Sequence, residues 1–113
     1  MYQDLRFKTD LNADYCLIAP EGRIDTINAG LFEKHLNEYM DGGNIKFIMD
    51  FSDLEYISSS GLRVVLSVRK KIVPMGGYIR LCNLQPSIRE VFEISGFSNI
   101  LPVFADLESA IIG

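Results

Sequence analysis

Only one histidine and two cysteines occur among the 113 residues. A zinc site built from so few nitrogen and sulfur donors would need an unusual carboxylate-rich ligand set. The two thiols, Cys16 and Cys82, have no CxxC spacing and sit in apolar stretches, Tyr15-Cys16-Leu17-Ile18 and Ile79-Arg80-Leu81-Cys82, which reads as buried and reduced. His35, between Lys34 and Leu36, reads as an exposed residue on the outer side of a helix, with nothing to make it the base of a serine nucleophile. A P-loop and a GxGxxG pattern are both missing. The paired glycines Gly42-Gly43 and Gly76-Gly77 follow helices instead of opening them, as chain reversals do. No catalytic residue, metal or cofactor is expected.

Long apolar runs and an excess of positive charge are missing as well. No stretch approaches the ~20 apolar residues of a membrane span, and Met1-Tyr2-Gln3-Asp4 lacks the basic start of a signal peptide. The expectation is a cytoplasmic protein without membrane insertion. The net charge of −4 and pI near 4.9 make the surface repel phosphate backbones, so nucleic acid is excluded as a partner. The one basic run, Arg69-Lys70-Lys71, falls near a helix end, where cations complement the dipole. With 48% hydrophobic and 23% charged residues, the chain has enough apolar material for one core and no segment that reads as disordered or repetitive. One domain spanning 1–113 is expected.

What is present is an alternation of short apolar runs and helical patterns. Leu5 to Lys8 and Tyr15 to Ala19 read as a hairpin joined by the polar turn Asp10-Leu11-Asn12-Ala13-Asp14, with Pro20-Glu21-Gly22 breaking the second strand. Ala29, Phe32, Leu36, Tyr39 and Met40 recur at helical spacing after a cap at Thr26 or Asn28. Ile45 to Phe51 reads as a strand buried on both faces, the centre of the sheet. After a short connection, the serines 58–60 open a second helix carrying Leu62, Val65, Leu66, Val68 and Ile72, stopped by Pro74 and Gly76-Gly77. Tyr78 to Cys82 is a further strand, Pro86 opens a third helix that Gly96 closes, Leu101 to Phe104 is a short edge strand, and Asp106 starts a last helix. The expected fold is α/β: a mixed sheet of about five strands with about four α-helices, an N-terminal hairpin and right-handed parallel βαβ crossovers.

Asp50, at the end of the central strand, invites comparison with the phosphoacceptor of a receiver domain. That match fails on the acidic pair and the late lysine a receiver needs, since every lysine here precedes Met75. The run Asp50-Phe51-Ser52-Asp53-Leu54-Glu55-Tyr56-Ile57-Ser58-Ser59-Ser60-Gly61-Leu62 instead resembles the signature of the STAS domain, the family of bacterial anti-sigma factor antagonists and of the cytosolic portion of sulfate transporters. The resemblance extends to Gly22-Arg23-Ile24-Asp25 and to Ser95-Gly96-Phe97. It implies a non-enzymatic binding module whose phosphorylated serine is Ser59, two places before Gly61, with Asp25 in a loop nearby. Where the family commonly has aspartate before the acceptor, this chain has Ser58, which adds Ser58 as an alternative acceptor.

The resemblance also implies partners: an anti-sigma factor serine kinase, bound when Ser59 is unmodified and released when it is phosphorylated, and a serine phosphatase acting on the phosphorylated form. The docking face implied comprises Asp25, Ser58, Ser59, Ser60, Gly61, Arg63 and Ser67. Elementary physics agrees with a switch here. A helix start carries unpaired N–H groups and partial positive charge, so it accommodates a phosphate, whose ~1.5 to 2 units of negative charge alter the surface without unfolding it. Two other readings accompany this one: a STAS subunit of a transporter ATPase complex or signalling scaffold without a phosphoswitch, and a module with weak nucleotide binding.

Overall fold

A computed structural model describes residues 5–113; residues 1–4, on which the absence of a signal peptide was read, lie outside the described residues. The chain runs β1 (Leu5–Leu11), β2 (Cys16–Ile24), α1 (Ala29–Asp41), β3 (Lys46–Asp50), β4 (Leu54–Ile57), α2 (Ser59–Ile72), β5 (Tyr78–Cys82), α3 (Pro86–Ser95), β6 (Val103–Phe104) and α4 (Leu107–Ile112). The sheet order is β1-β2-β3-β5-β6, with β4 also paired to β2. Only β1 and β2 are antiparallel; every other pairing is parallel.

The expected mixed α/β sheet is present with six strands instead of about five, because Leu54–Ile57 is a strand and not merely a connection. The hairpin turn forms as its polar residues suggest: Asn12 Oδ1 accepts from the backbone of Asp14 at 2.8 Å and of Tyr15 at 3.0 Å. Pro20 does not break β2 as expected. The pairing of β2 with β3 ends at Ile18 and that with β4 begins at Gly22, so Pro20 falls where β2 has no partner on that side and its missing N–H costs no ladder bond.

α1, α2 and α3 cover one face of the sheet. Their side chains Phe32, Leu36, Leu62, Val65, Ile88 and Phe92 close over Cys16, Ile18, Phe47, Met49 and Leu81 in one cluster. α4 covers part of the other face, with Ala110 against Ile48 and Cys82. Phe32, Phe47, Phe51 and Phe92 are fully buried, each contributing about 1.5 to 3 kcal/mol relative to exposure. β3 is the buried centre its apolar run indicates, with Phe47, Ile48 and Met49 all inaccessible. Both cysteines are buried and free. No helix among the described residues is long and apolar enough to cross a membrane.

His35 departs from its expected place. It is half-buried and stacks on Phe7 of β1, ring centroids 4.1 Å apart and planes 7° from parallel. Its Nε2 lies 2.8 Å from Thr9 Oγ1. β1 runs three residues further than the apolar pattern indicated, to Leu11, and so continues along α1. Burial pushes the imidazole below its ordinary value of 6.5, against a smaller opposing pull from Glu38.

Candidate functional site

The site is organised by two strand ends that run side by side. β2 and β4 are parallel, with Gly22 opposite Leu54, Arg23 opposite Tyr56 and Ile24 opposite Ile57, across a bulge between Gly22 and Arg23. The chain therefore leaves both strands at one level: Asp25 follows Ile24, and Ser58 follows Ile57. The Ser58 backbone N–H donates to the Ile24 carbonyl at 2.8 Å, tying the two exits together. Beside them the Arg23 guanidinium lies 4.4 Å over the Tyr56 ring, a cation–π contact that reinforces the pairing at its open edge.

The first exit is a tight polar loop. Asp25 Oδ1 accepts from the backbone N–H groups of Ile27 and Asn28, both at 2.9 Å. Asn28 Oδ1 accepts in return from the Asp25 N–H at 2.8 Å, and its Nδ2 donates to the Arg23 carbonyl at 2.9 Å. Asn28 occupies the cap position of α1, but its side chain makes no cap bond to the helix. The loop spends these side chains on its own backbone, and in doing so it displays Ile27, which is 93% exposed.

The second exit starts α2. Ser58 is the N-cap, with extended backbone and Oγ accepting from the Gly61 N–H at 3.2 Å; it is only 7% exposed. Ser59 is the first helical residue and is exposed, while Ser60 is half-buried. Their N–H groups fall in the first turn, where no intrahelical acceptor exists. That turn contains no acidic side chain, so α2 itself places no carboxylate at the positive end of its dipole, while Arg69, Lys70 and Lys71 complement the negative end in the last turn.

Between α1 and α2 runs a cleft of about 300 Å³ with Ala29, Gly30 and Glu33 on one side and Ser60, Arg63 and Ser67 on the other. The structure thus gathers the residues singled out in the sequence, but in different roles. Ser59 and Arg63 are exposed, Asp25, Ser60 and Ser67 are half-buried, and Ser58 and Gly61 are buried parts of the helix start. Sequence reasoning did not reach Ile27, Gly30 and Glu33. An isoleucine set in the polar stretch Asp25-Thr26-Ile27-Asn28, off the helical apolar spacing, was the available signal.

Comparison with known proteins gives the family of the chain. The STAS domain family matches residues 5–110. BtrV of Bordetella bronchiseptica, named as a candidate anti-sigma factor antagonist, is 44% identical over 90 residues, 80% of this chain and 78% of that protein. The anti-sigma-B factor antagonist of Bacillus subtilis is 26% identical over 80% of this chain and 82% of its own. Among solved structures, SpoIIAA, an anti-sigma factor antagonist in its unphosphorylated form, superposes with a TM-score of 0.72 at 20% identity, over 95% of this chain and 94% of that one.

Proposed function

The chain belongs to the STAS domain family, and from that premise we propose that it is an anti-sigma factor antagonist switched by phosphorylation of Ser59. Unmodified, it binds an anti-sigma factor serine kinase; phosphorylated, it lets that kinase go, and a serine phosphatase returns it to the binding form. It performs no chemistry of its own. The partner docks on the Asp25 loop, the start of α2 and the α1–α2 cleft.

The observation that carries this reading is the contrast between Ser58 and Ser59. Ser58 is buried and its hydroxyl is engaged as the helix cap, whereas Ser59 next to it is exposed at the positive end of α2, in a first turn without acidic side chains. A kinase active site needs a hydroxyl it can surround, and Ser59 offers one. A phosphate there meets free N–H groups without displacing the cap, so the fold persists while the docking face gains about 1.5 to 2 negative charges. A loss of ~1.4 kcal/mol in binding weakens affinity tenfold, so one misplaced phosphate facing an acidic partner suffices for release.

The experiment is quantitative capture from the native host with the unsubstituted protein, Ser59→Ala and Ser59→Asp as baits. A kinase retained by Ser59→Ala and lost by Ser59→Asp supports the switch. Identical partners on all three baits would reduce Ser59 to a helix residue and remove the phosphoswitch.

A further inference from the structure

We infer that Arg63 is the receiver of the Ser59 phosphate, and that phosphorylation acts on the docking face twice: by adding charge at Ser59 and by drawing Arg63 away from the α1–α2 cleft. This rests on the proposal that Ser59 is the modified residue. Ser59 and Arg63 stand four residues apart on α2. That spacing places their side chains on the same face, roughly 5 to 6 Å apart at Cβ. The order is the favourable one, with the anion nearer the N-terminus and the cation one turn later.

Arg63 is available for this. It is exposed, and among the described residues the ion pairs are those of Glu21 with Arg6 and Lys8, so Arg63 is in none. It lines the cleft across from Glu33 without forming a salt bridge to it. A guanidinium presents a planar fork of donors that matches two phosphate oxygens, which a lone carboxylate across a cleft does not improve on. Once Arg63 turns to the phosphate, the cleft keeps Glu33 and loses its cation. A partner carboxylate that pairs with Arg63 in the unmodified protein would then meet an acidic groove as well as an acidic helix start.

The test installs phosphoserine at position 59 during translation, so its result does not depend on whether a host kinase chooses that residue. The phosphate is titrated by phosphorus NMR in the otherwise unsubstituted protein, in Arg63→Gln and in Arg63→Lys. The expected result is a second phosphate pKa ~0.3 to 1 unit lower in the parent than in Arg63→Gln, about a two- to tenfold change in proton affinity, with Arg63→Lys between them. Because Arg63 is exposed, unphosphorylated Arg63→Gln keeps the parental melting temperature, which separates this effect from a change in folding. Superimposable titrations of the parent and Arg63→Gln would overturn the assignment, leaving the helix N-terminus alone to hold the phosphate.

Discussion

Gly61 and Ile24 approach so closely that a Cβ on Gly61 would lie 2.7 Å from Ile24 Cγ2, and 2.8 Å from Ile57 Cγ1. Both isoleucines end the paired strands β2 and β4, and both are buried. The glycine is therefore what lets the first turn of α2 sit down on the two strand ends that build the site. An alanine in a helix is ordinarily better than glycine by about 1 kcal/mol. Here Gly61→Ala is expected to destabilise by about 1 to 3 kcal/mol through overpacking. Urea denaturation gives the sign, and a gain in stability would show that the close approach relaxes freely.

Neighbouring serines should separate into a structural and a functional one. Ser58→Ala removes the side-chain acceptor of the Gly61 N–H and is expected to cost about 1 kcal/mol, within the roughly 0.5 to 2 kcal/mol usual for N-caps. Ser59→Ala should leave the melting temperature almost unchanged while abolishing incorporation of phosphate from the proposed partner kinase. Equal losses of stability in the two variants would contradict the division.

Ile27 is expected to anchor the partner. At 93% exposure it contributes little to the core, so Ile27→Ala should leave thermal stability intact. Binding of the proposed partner kinase should weaken by more than about 1 kcal/mol, the level at which a buried interface anchor is recognised. Calorimetric titration with the purified partner is the measurement, and an unchanged affinity would move the docking face away from the Asp25 loop.

His35 gives stability a pH dependence of definite sign. Its folded pKa lies below 6.5, chiefly because burial disfavours the charged ring. Between those two values the unfolded chain holds more protons than the folded one, so stability rises with pH across that window. The stabilisation is full above the unfolded value near 6.5 and is lost as pH falls toward and below the folded one. Denaturation midpoints from about pH 5 to 8 should rise up to about pH 6.5 and level off above it, and His35→Gln should flatten the rise.

The thiols should be silent in the native state. Burial pushes Cys16 up to about 11 and Cys82 up to about 12, with Asp50 and Asp106 adding to the latter. Thiolate, not thiol, is the reactive species. A disulfide reagent at about pH 8, close to the ordinary thiol pKa, is expected to react with neither cysteine until denaturant is added, and then with both. Rapid reaction of the folded protein would mean that the sheet opens around them.

Much of this protein is local in origin. The serine cap, the apolar spacing of α1 to α3, Pro86 at the start of α3, Gly96 at its end with φ of 82°, and the buried run of β3 all depend on neighbours within a few residues, and they were legible in the sequence. So was the candidate serine, through a motif contiguous from Asp50 to Leu62. What the sequence could not determine depends on pairing at a distance. Leu54-Glu55-Tyr56-Ile57 is buried only at its two ends and has no strand alternation, and it becomes a strand because β2 runs on past β3 and offers it an edge. Pro20 is tolerated for the same reason. That pairing sets Asp25 beside Ser58 and fixes the helix start at which Ser58 is buried while Ser59 is exposed, and the packing of α1 on α2 brings Glu33 across from Arg63. Side-chain chemistry is written residue by residue, but the exposure of one hydroxyl over its neighbour is settled only when two strands far apart along the chain end at the same level.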